Sequence, residues 1–508
     1  ARSFLSVEHE DPKWYEAPTA MLPSLSEVAS SLRAGRVTSV ELTKAAIRRH
    51  EEGDLGAYKV FDAEAALVSA AKADERLALG DAPPMCGIPI SIKDLYGTAS
   101  WPTFAGTAKE LPLKWRRDAW LVGELLAQGA VPVGKTHTVE LAFGALGTNA
   151  HWGAPRNPRG DGTRVPGGSS SGAGVSLLEG SCFVALGTDT GGSIRIPAAV
   201  TGTVGLKTTK GRWPTDGVVP VSHTLDTVGA LTRTVEDQIF FFDAVDPAAA
   251  AKEFKGRRGC DEEKDVAATN GQEGPVRWRI GKPRGQLWSE TQKDVGEVLD
   301  RALASLVGHD DSVEEEEKAL IIEVVDTDGG LLDEALDLYL HGGISGAECG
   351  AFVRRELPEW MDLLDPTVKV RITQAPASLE SPDYEASLRK RDAMIQRCNG
   401  ALFVDGDGNS IKFLALPTQL TTPPKVDDVL AGGEAYAVAN RRGLSPTCPA
   451  SILGLCALTL PVGTDDEGMP VGLQLIAPAN HERPLLQLAR LVESRTRGAG
   501  GEVAKKRG

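Results

Sequence analysis

The sequence predicts a layered α/β fold, because helical and strand-like segments alternate in the first half of the chain. Residues 87–94, Gly-Ile-Pro-Ile-Ser-Ile-Lys-Asp, change character at every second position, which is the side-chain period of a strand. A helical segment at 118–128 leads into an apolar strand at 130–134, and a short helix at 173–179 leads into another at 182–187. This succession is typical of a sheet packed against helices.

The segments on either side of this region extend the pattern. Apolar spacing predicts a helix over 24–50, with Ser24 or Ser26 as its cap, and an Ala-rich helix over 62–80. Near the end of the chain, two strands at 458–462 and 471–476 flank a turn at 465–469, and a helix follows at 483–494. The chain therefore begins with helices and ends with a strand pair and a helix.

Composition limits the classes of function. The 508 residues are 41% apolar and 25% charged, which are ordinary globular values. The net charge of −15 argues against a general binder of nucleic acid or of membrane surfaces, since both need a basic face. No run of about 18 uncharged apolar residues predicts a membrane helix, and no secretory leader is expected in the first twenty residues.

The seven cysteines are scattered singly, without a C-x-x-C pair. An odd, dispersed set suggests neither a disulfide framework nor a zinc site. Free cysteines fit a reducing compartment, so we expect a cytoplasmic protein.

The first candidate for chemistry is Lys93. Ile88, Ile90 and Ile92 share one face of the predicted strand, whereas Ser91 and Lys93 share the other. A lysine at a strand end is most often an edge residue whose amine reaches water. If Lys93 is buried instead, its pKa falls and a neutral amine becomes available as a base.

Two glycine-rich segments carry further hydroxyl groups. Residues 167–174, Gly-Gly-Ser-Ser-Ser-Gly-Ala-Gly, are typical of a flexible linker or a helix cap, but they could also form a hydroxyl-lined turn. Residues 187–197, Gly-Thr-Asp-Thr-Gly-Gly-Ser-Ile-Arg-Ile-Pro, are typical of an ordinary turn. A glycine pair also lets successive backbone N–H groups point the same way, which an oxyanion hole beside Ser193 would require.

The order of these three features resembles the amidase signature family. The similar segments include GIPISIKD at 87–94, the serine-glycine loop with its lead-in at 153–174, and TGTVGLKTTKGR at 201–212. The resemblance resumes in LALPTQLTTPP at 414–424 and in LGLCALTLPVGTDDEGMPVGLQLIAP at 453–478. It implies the amidase signature fold, a central mixed β-sheet covered by helices on both faces.

The resemblance also implies a function and its residues. The chain would hydrolyse the C–N bond of an amide, or of an anilide, carbamate or urea-type compound, through a serine acyl-enzyme. Ser193 matches the family's nucleophile, Ser169 its bridging serine and Lys93 its base. The resemblance implies no metal or organic cofactor. The expected binding partner is a small-molecule amide substrate, and the protein could form a homodimer.

Other residues of the two loops would support this chemistry. The resemblance implies an oxyanion hole built from the backbone N–H groups of Thr190, Gly191, Gly192 and Ser193. It implies structural support from Asp189, Arg195 and Ser170. Since Asp94 would raise the pKa of Lys93 if it faced the site, we expect its side chain to point away, as strand alternation predicts.

The predicted organisation is one α/β domain with four parts. An N-terminal helical part covers 1–84, and a catalytic core covers 85–235. The remainder of the domain, with a variable substrate pocket, covers 236–495, and a disordered tail covers 496–508. We expect substrate choice to reside chiefly in 300–400, where the resemblance is weak, with a contribution from the loop Tyr96–Gly106 and its Trp101. A polar stretch at 251–275 and the acidic run Glu314–Glu317 are expected on the surface. Cys456 departs from the family pattern, which carries a proline there.

Three alternatives compete with this interpretation. Within the family, the chain could be a glutaminase-type subunit of an amidotransferase complex. Gly168–Gly172 fits the G-x-S-x-G nucleophile elbow of α/β-hydrolases, which would make Ser170 the nucleophile of an esterase, but no strand is predicted before it. Gly129–Thr136 matches the P-loop pattern, although a helix rather than a strand precedes it, so it is expected to be a false match.

Overall fold

The structure is a computed structural model of the chain. It describes residue 15 and residues 22–53, 55–246, 276–307 and 320–504. The polar stretch at 251–275 and the acidic run Glu314–Glu317, both predicted to lie on the surface, fall outside the described residues. No helix within those residues combines the length and the apolar character that crossing a membrane requires.

The core of the fold is one mixed sheet of eleven strands in the order β1-β3-β2-β4-β6-β5-β10-β11-β9-β7-β8. The strands are β1 Tyr58–Phe61, β2 Pro89–Lys93, β3 Val131–Thr136, β4 Val184–Asp189, β5 Val204–Lys207, β6 Thr227–Thr232, β7 Val276–Arg284, β8 Leu320–Asp328, β9 Phe413–Pro417, β10 Cys456–Thr464 and β11 Pro470–Ala477. Strand β2 is parallel to both of its neighbours, β3 and β4, whereas β4 and β6 are antiparallel. The predicted mixed sheet is therefore confirmed.

Helices surround this sheet in the described part of the chain. They are α1 Leu25–Arg33, α2 Ser39–Gly53, α3 Ala63–Ala78, α4 Trp120–Ala127, α5 Ser171–Glu179, α6 Arg195–Thr201, α7 Val235–Val245, α8 Gln286–Ser289, α9 Lys293–Leu306, α10 Gly330–His341, α11 Ile344–Glu356, α12 Pro366–Gln374, α13 Pro382–Leu402, α14 Val426–Val429, α15 Gly433–Leu444, α16 Cys448–Ile452 and α17 Glu482–Ala504.

Helices cover both faces of the sheet, as expected. Adjacent residues of a strand point to opposite faces. Ala230 of β6 packs in the cluster that contains Phe241 of α7 and Leu488 of α17, whereas Leu231 packs with Ala173 of α5. The central strands are buried on both faces for this reason, and β2 and β4 are buried along their whole length.

Two helix predictions need correction. The single helix expected over 24–50 is two helices, α1 and α2, because Gly35 adopts φ 66° after the end of α1 and turns the chain. Ser24 caps α1, as one of the two serines was expected to do. The last helix extends to Ala504 instead of ending near 494, so the tail predicted to be disordered overlaps its final residues.

Candidate active site

Lys93 ends strand β2 with its side chain completely buried. Its Nζ donates hydrogen bonds to the Ser169 Oγ at 2.8 Å and to the Thr188 Oγ1 at 2.7 Å. Burial lowers the pKa of Lys93 to about 7, while Asp189 and Asp226 act in the opposite direction. An amine in this setting is neutral in a large fraction of molecules at neutral pH, and it is hydrogen-bonded to the hydroxyl of Ser169.

The next residue along the strand, Asp94, faces away from this lysine. Its Oδ1 pairs with the Nζ of Lys135 at 2.8 Å, and its Oδ2 accepts the backbone N–H groups of Phe104 and Ala105 at 3.0 Å each. The expectation that Asp94 points away is confirmed. The carboxylate nearest to Lys93 in sequence is therefore occupied by a different cation.

The serine-glycine loop places Ser169 between strand β3 and the turn that follows β4. The carbonyl oxygen of Ser169 accepts hydrogen bonds from the Thr138 Oγ1 at 2.9 Å and from the Val139 backbone N–H at 3.2 Å. The peptide bond between Gly168 and Ser169 is cis. The Ser170 backbone N–H donates to the Ser193 carbonyl at 3.3 Å, so this loop lies directly against the residue predicted to be the nucleophile.

The turn before Ser193 is enclosed from two sides. A Cβ added to Gly191 would lie 2.2 Å from the Tyr339 Oη, and one added to Gly192 would lie 2.1 Å from the Thr447 Oγ1. Gly192 also adopts φ 141°, which side chains disfavour. The Thr447 hydroxyl donates to the Gly191 carbonyl at 2.5 Å. Only glycines fit this turn.

We expect Gly192→Ala to lower kcat/KM by roughly 100-fold, because a displacement of about 1 Å at a reacting centre can have that effect. Gly211 is the matched control, since it also has a positive φ (84°) but has no atom within 4 Å of an added Cβ. Gly211→Ala should cost about 1 kcal/mol of stability and leave kcat/KM unchanged. Steady-state kinetics and thermal unfolding of both variants test this, and equal kinetic losses would contradict it.

A buried ion pair supports the same turn. Two guanidinium nitrogens of Arg195 donate to the two carboxylate oxygens of Asp189, at 3.0 and 2.8 Å, and both side chains are fully buried. Burial would raise the pKa of Asp189, but Arg195, together with Lys207 and the Ile194 backbone N–H, holds that pKa below its usual range. The Ile194 backbone N–H also donates to Asp189, at 3.2 Å. The pair therefore ties the end of β4 to the start of α6.

Ser193 lies at a cavity of about 840 Å³, which Thr190 and Gly191 also line. The remaining wall comes mostly from residues within 142–144, 339–346, 366–376 and 433–444. Among the described residues, the Ser193 hydroxyl has no hydrogen-bond partner. The structure thus joins Lys93 to Ser169 directly and brings Ser193 against the neighbouring Ser170, on the cavity wall, without a bond between the hydroxyls of Ser169 and Ser193.

Arg371 is a charged residue of this cavity that sequence analysis missed. Its guanidinium lies 4.3 Å from the centre of the Phe143 ring, and its Nε donates to the Thr367 carbonyl at 3.1 Å. Its Nη2 is buried and has no hydrogen-bond partner among the described residues. A guanidinium N–H group in this state favours an anionic ligand.

No group of three or more His, Cys, Asp or Glu side chains in the described part of the chain is arranged to hold a metal ion.

Comparisons with known proteins identify the family. A family model described as Amidase matches residues 41–486. The chain belongs to the amidase family. The 2-amino-5-chloromuconic acid deaminase of Comamonas testosteroni is 40% identical over 484 residues, covering 93% of this chain and 96% of that protein. The A subunit of the glutamyl-tRNA(Gln) amidotransferase of Cupriavidus necator is 31% identical, again covering 93% and 96%.

Solved structures agree with this assignment. A crystal structure of an amidase superposes with a TM-score of 0.76 at 29% identity, covering 93% of this chain and 100% of that one. The native peptide amidase from Stenotrophomonas maltophilia gives a TM-score of 0.70 at 27% identity, covering 93% and 97%. The resemblance to the amidase signature family is confirmed, and this amidase is an amidohydrolase that cleaves C–N bonds.

The two rival motifs do not form the sites that their patterns suggest. Gly134, Lys135 and Thr136 lie within strand β3, and Lys135 pairs with Asp94, so the P-loop match is false. Ser170 is fully buried, with its Oγ 3.4 Å from the Thr188 carbonyl, and does not line the cavity around Ser193. No strand precedes it in residues 153–170. These positions do not match a nucleophile elbow.

The expected source of the cavity wall needs a partial correction. Residues 339–376 contribute to it, as the prediction for 300–400 requires. The described lining includes nothing from Tyr96–Gly106, where Trp101 is buried and its Nε1 donates to Asp62 at 2.9 Å. Helix α15 contributes instead, and its opposite side lines a second cavity of about 740 Å³ through residues such as Ala435 and Val438.

Proposed function

We propose that this amidase works through an acyl-enzyme on Ser193, with Ser169 and Lys93 as its proton relay. The observation that carries the proposal is the hydrogen bond from the buried Lys93 amine to the Ser169 hydroxyl, next to a cavity-facing Ser193. In this proposal Ser169 carries the proton between the amine and Ser193, and the low pKa of Lys93 makes a base available near neutral pH.

Each step uses groups already described. Neutral Lys93 takes the proton of Ser169 while Ser169 takes that of Ser193, whose Oγ attacks the carbonyl carbon. The backbone N–H groups of the turn, from Thr190 to Ser193, would stabilise the oxyanion. Each such donor contributes about 3 kcal/mol, and the relay contributes roughly 100- to 10,000-fold. Ser169 then protonates the leaving nitrogen, and water hydrolyses the acyl-enzyme through the same groups.

The cavity suggests a substrate that carries a carboxylate. The relative from Comamonas testosteroni is named for an acid, 2-amino-5-chloromuconic acid. Arg371 lines the same cavity as Ser193, and its guanidinium carries a buried N–H group that has no hydrogen-bond partner among the described residues. We infer a small acidic substrate whose scissile C–N bond lies at Ser193 while its carboxylate lies at Arg371.

A panel of substrates tests the proposed function. It should hold neutral and carboxylate-bearing versions of primary amides, anilides, carbamates and ureas, together with free glutamine. Release of ammonia or amine from the acidic members is the expected result. Glutamine as the sole substrate, together with a second chain that co-purifies, would support the alternative of a glutaminase that works within a complex.

Arg371→Met should raise KM for a carboxylate-bearing substrate by roughly 100-fold and change KM for its neutral analogue little. The reason is that methionine keeps much of the packing on Phe143 but cannot pair with an anion. Arg441, an exposed arginine of the same cavity, is the matched control, and Arg441→Met should have a much smaller effect. If Arg371→Met raised KM equally for the carboxylate-bearing substrate and for its neutral analogue, the result would argue against a carboxylate site.

The six described cysteines are all free and buried. This pattern supports the proposal that the protein works in a reducing compartment such as the cytoplasm.

A further inference from the structure

A buried carboxylate outside the proposed triad contacts the turn that carries the proposed oxyanion hole. The Thr190 Oγ1 donates a hydrogen bond of 2.5 Å to the Oδ1 of Asp226, whose residue is only 8% exposed. This length lies at the short end of the range for a hydroxyl that donates to a carboxylate. The side chain of Thr190 therefore has a fixed anchor in Asp226.

The second oxygen of Asp226 is held just as firmly. It accepts the backbone N–H groups of Val221 and Ser222, both at 2.9 Å. Three donors thus converge on one carboxylate, which leaves it little freedom to move. Val221 lines the same cavity as Thr190 and Ser193, so the anchor lies beside that cavity.

The loop that carries Asp226 has a separate attachment. Glu348 of α11 accepts hydrogen bonds from the Ser222 hydroxyl, from the Thr224 Oγ1 at 2.5 Å and from the Tyr384 Oη at 2.6 Å. These contacts do not involve Asp226. The loop should accordingly keep its place when the contact between Thr190 and Asp226 is removed.

We propose that Asp226 is a positioning residue for the turn from Thr190 to Ser193 and acts through the Thr190 hydroxyl. Thr447 fixes the turn at the Gly191 carbonyl, and Asp226 fixes it one residue earlier. With both contacts in place, the turn's N–H groups are set before the negative charge develops on the substrate. The catalytic consequence rests on the proposed function.

Thr190→Val tests the proposal, because it removes the hydroxyl and keeps the backbone N–H with little change in shape. We expect kcat to fall by roughly 10- to 100-fold with little change in KM, since the oxyanion forms only in the transition state. Thr190→Ser should recover most of the lost rate. A Thr190→Val enzyme with the wild-type kcat, or a Thr190→Ser enzyme as slow as Thr190→Val, would overturn the proposal.

A double-mutant cycle then identifies Asp226 as the partner. Asp226→Ala should also lower kcat on the alkaline plateau, where Lys93 is neutral and the effect of Asp226 on its pKa no longer matters. There the double variant should be no slower than the slower single variant, because the two residues act as one unit. Fully additive losses would overturn the proposal. Asp237→Ala is the control, since that buried aspartate accepts a backbone N–H from Leu25 far from the cavity. It should lower stability and leave kcat unchanged.

Hydrogen exchange separates this proposal from the proposed function. In Thr190→Val, the backbone N–H groups of the turn should exchange faster than in the wild type, whether or not Ser193 is the nucleophile. Unchanged exchange would overturn the positioning role even if Ser193 forms an acyl-enzyme. Faster exchange in an enzyme that forms no Ser193 adduct would refute only the proposed function.

Discussion

Ser193→Ala should lower the rate of C–N hydrolysis by about 10⁴- to 10⁶-fold while the protein remains folded. Losses of this size follow when the attacking hydroxyl of a serine hydrolase is removed, because the remaining groups cannot form the covalent intermediate. The turn should keep its shape, since Asp189, Arg195 and Thr447 hold it through contacts that do not involve the Ser193 hydroxyl. Steady-state kinetics measures the rate of hydrolysis, and thermal unfolding checks that the variant is folded.

Ser170→Ala is the matched control for this variant. Its hydroxyl is buried against the Thr188 carbonyl and does not line the cavity, so we expect a loss of less than 10-fold. Mass spectrometry of the wild type, stopped rapidly after mixing with substrate, should locate the acyl group on the peptide that contains Ser193. A folded Ser193→Ala variant with undiminished turnover would contradict the assignment of Ser193 as the nucleophile.

The pH dependence of the rate should report the state of Lys93. Burial holds its pKa near 7, so the amine is protonated below that pH and neutral above it. A base must be neutral to accept a proton. The rate should therefore be lost as pH falls through about 7 and reach a plateau above it. A rate that instead falls as pH rises through 7 would show that the reaction uses the ammonium.

Lys93→Arg should fail almost as badly as Lys93→Ala, because a guanidinium remains charged and cannot act as a base. Adding a small primary amine should restore part of the activity of Lys93→Ala and none of the activity of Lys93→Arg. Lys135 is the control, since it is a buried strand lysine that pairs with Asp94. Lys135→Met should lower stability without moving the midpoint of the pH profile. If Lys93→Arg kept most of the wild-type rate of hydrolysis, the result would contradict the role of Lys93 as a base.

Local patterns predicted the elements but not their assembly. The alternation of residues 87–94 was enough to place Lys93 on the face opposite Ile92, because the period of a strand is a property of neighbouring residues. That Lys93 contacts Ser169 depends on β2 pairing with β4 and on the loop after β3, which are long-range contacts. The resemblance to a family, rather than the pattern, supplied that step.

Sequence analysis missed Arg371 and Asp226 for the same reason, because their importance depends on long-range contacts and not on a local pattern. Arg371 lies on an amphipathic helix where an arginine is unremarkable, and only the packing on Phe143 and the unpartnered Nη2 distinguish it. Asp226 occurs in a loop without any motif, and its contact with Thr190 links residues 36 positions apart. Helix α1 was predicted too long because the apolar spacing continues past Gly35, although the backbone turns there.

Helix α15 forms the wall between two empty spaces. A helix packed on both sides can move only if its neighbours move with it, because protein interiors are close-packed. This one borders an open cavity of about 740 Å³ on the side away from the cavity that Ser193 lines. Bulkier side chains facing the substrate could push it outward without compressing the core. We therefore expect substitutions in α15 to change the size of substrate that is accepted while the proposed reacting groups, which lie in other parts of the chain, stay unchanged.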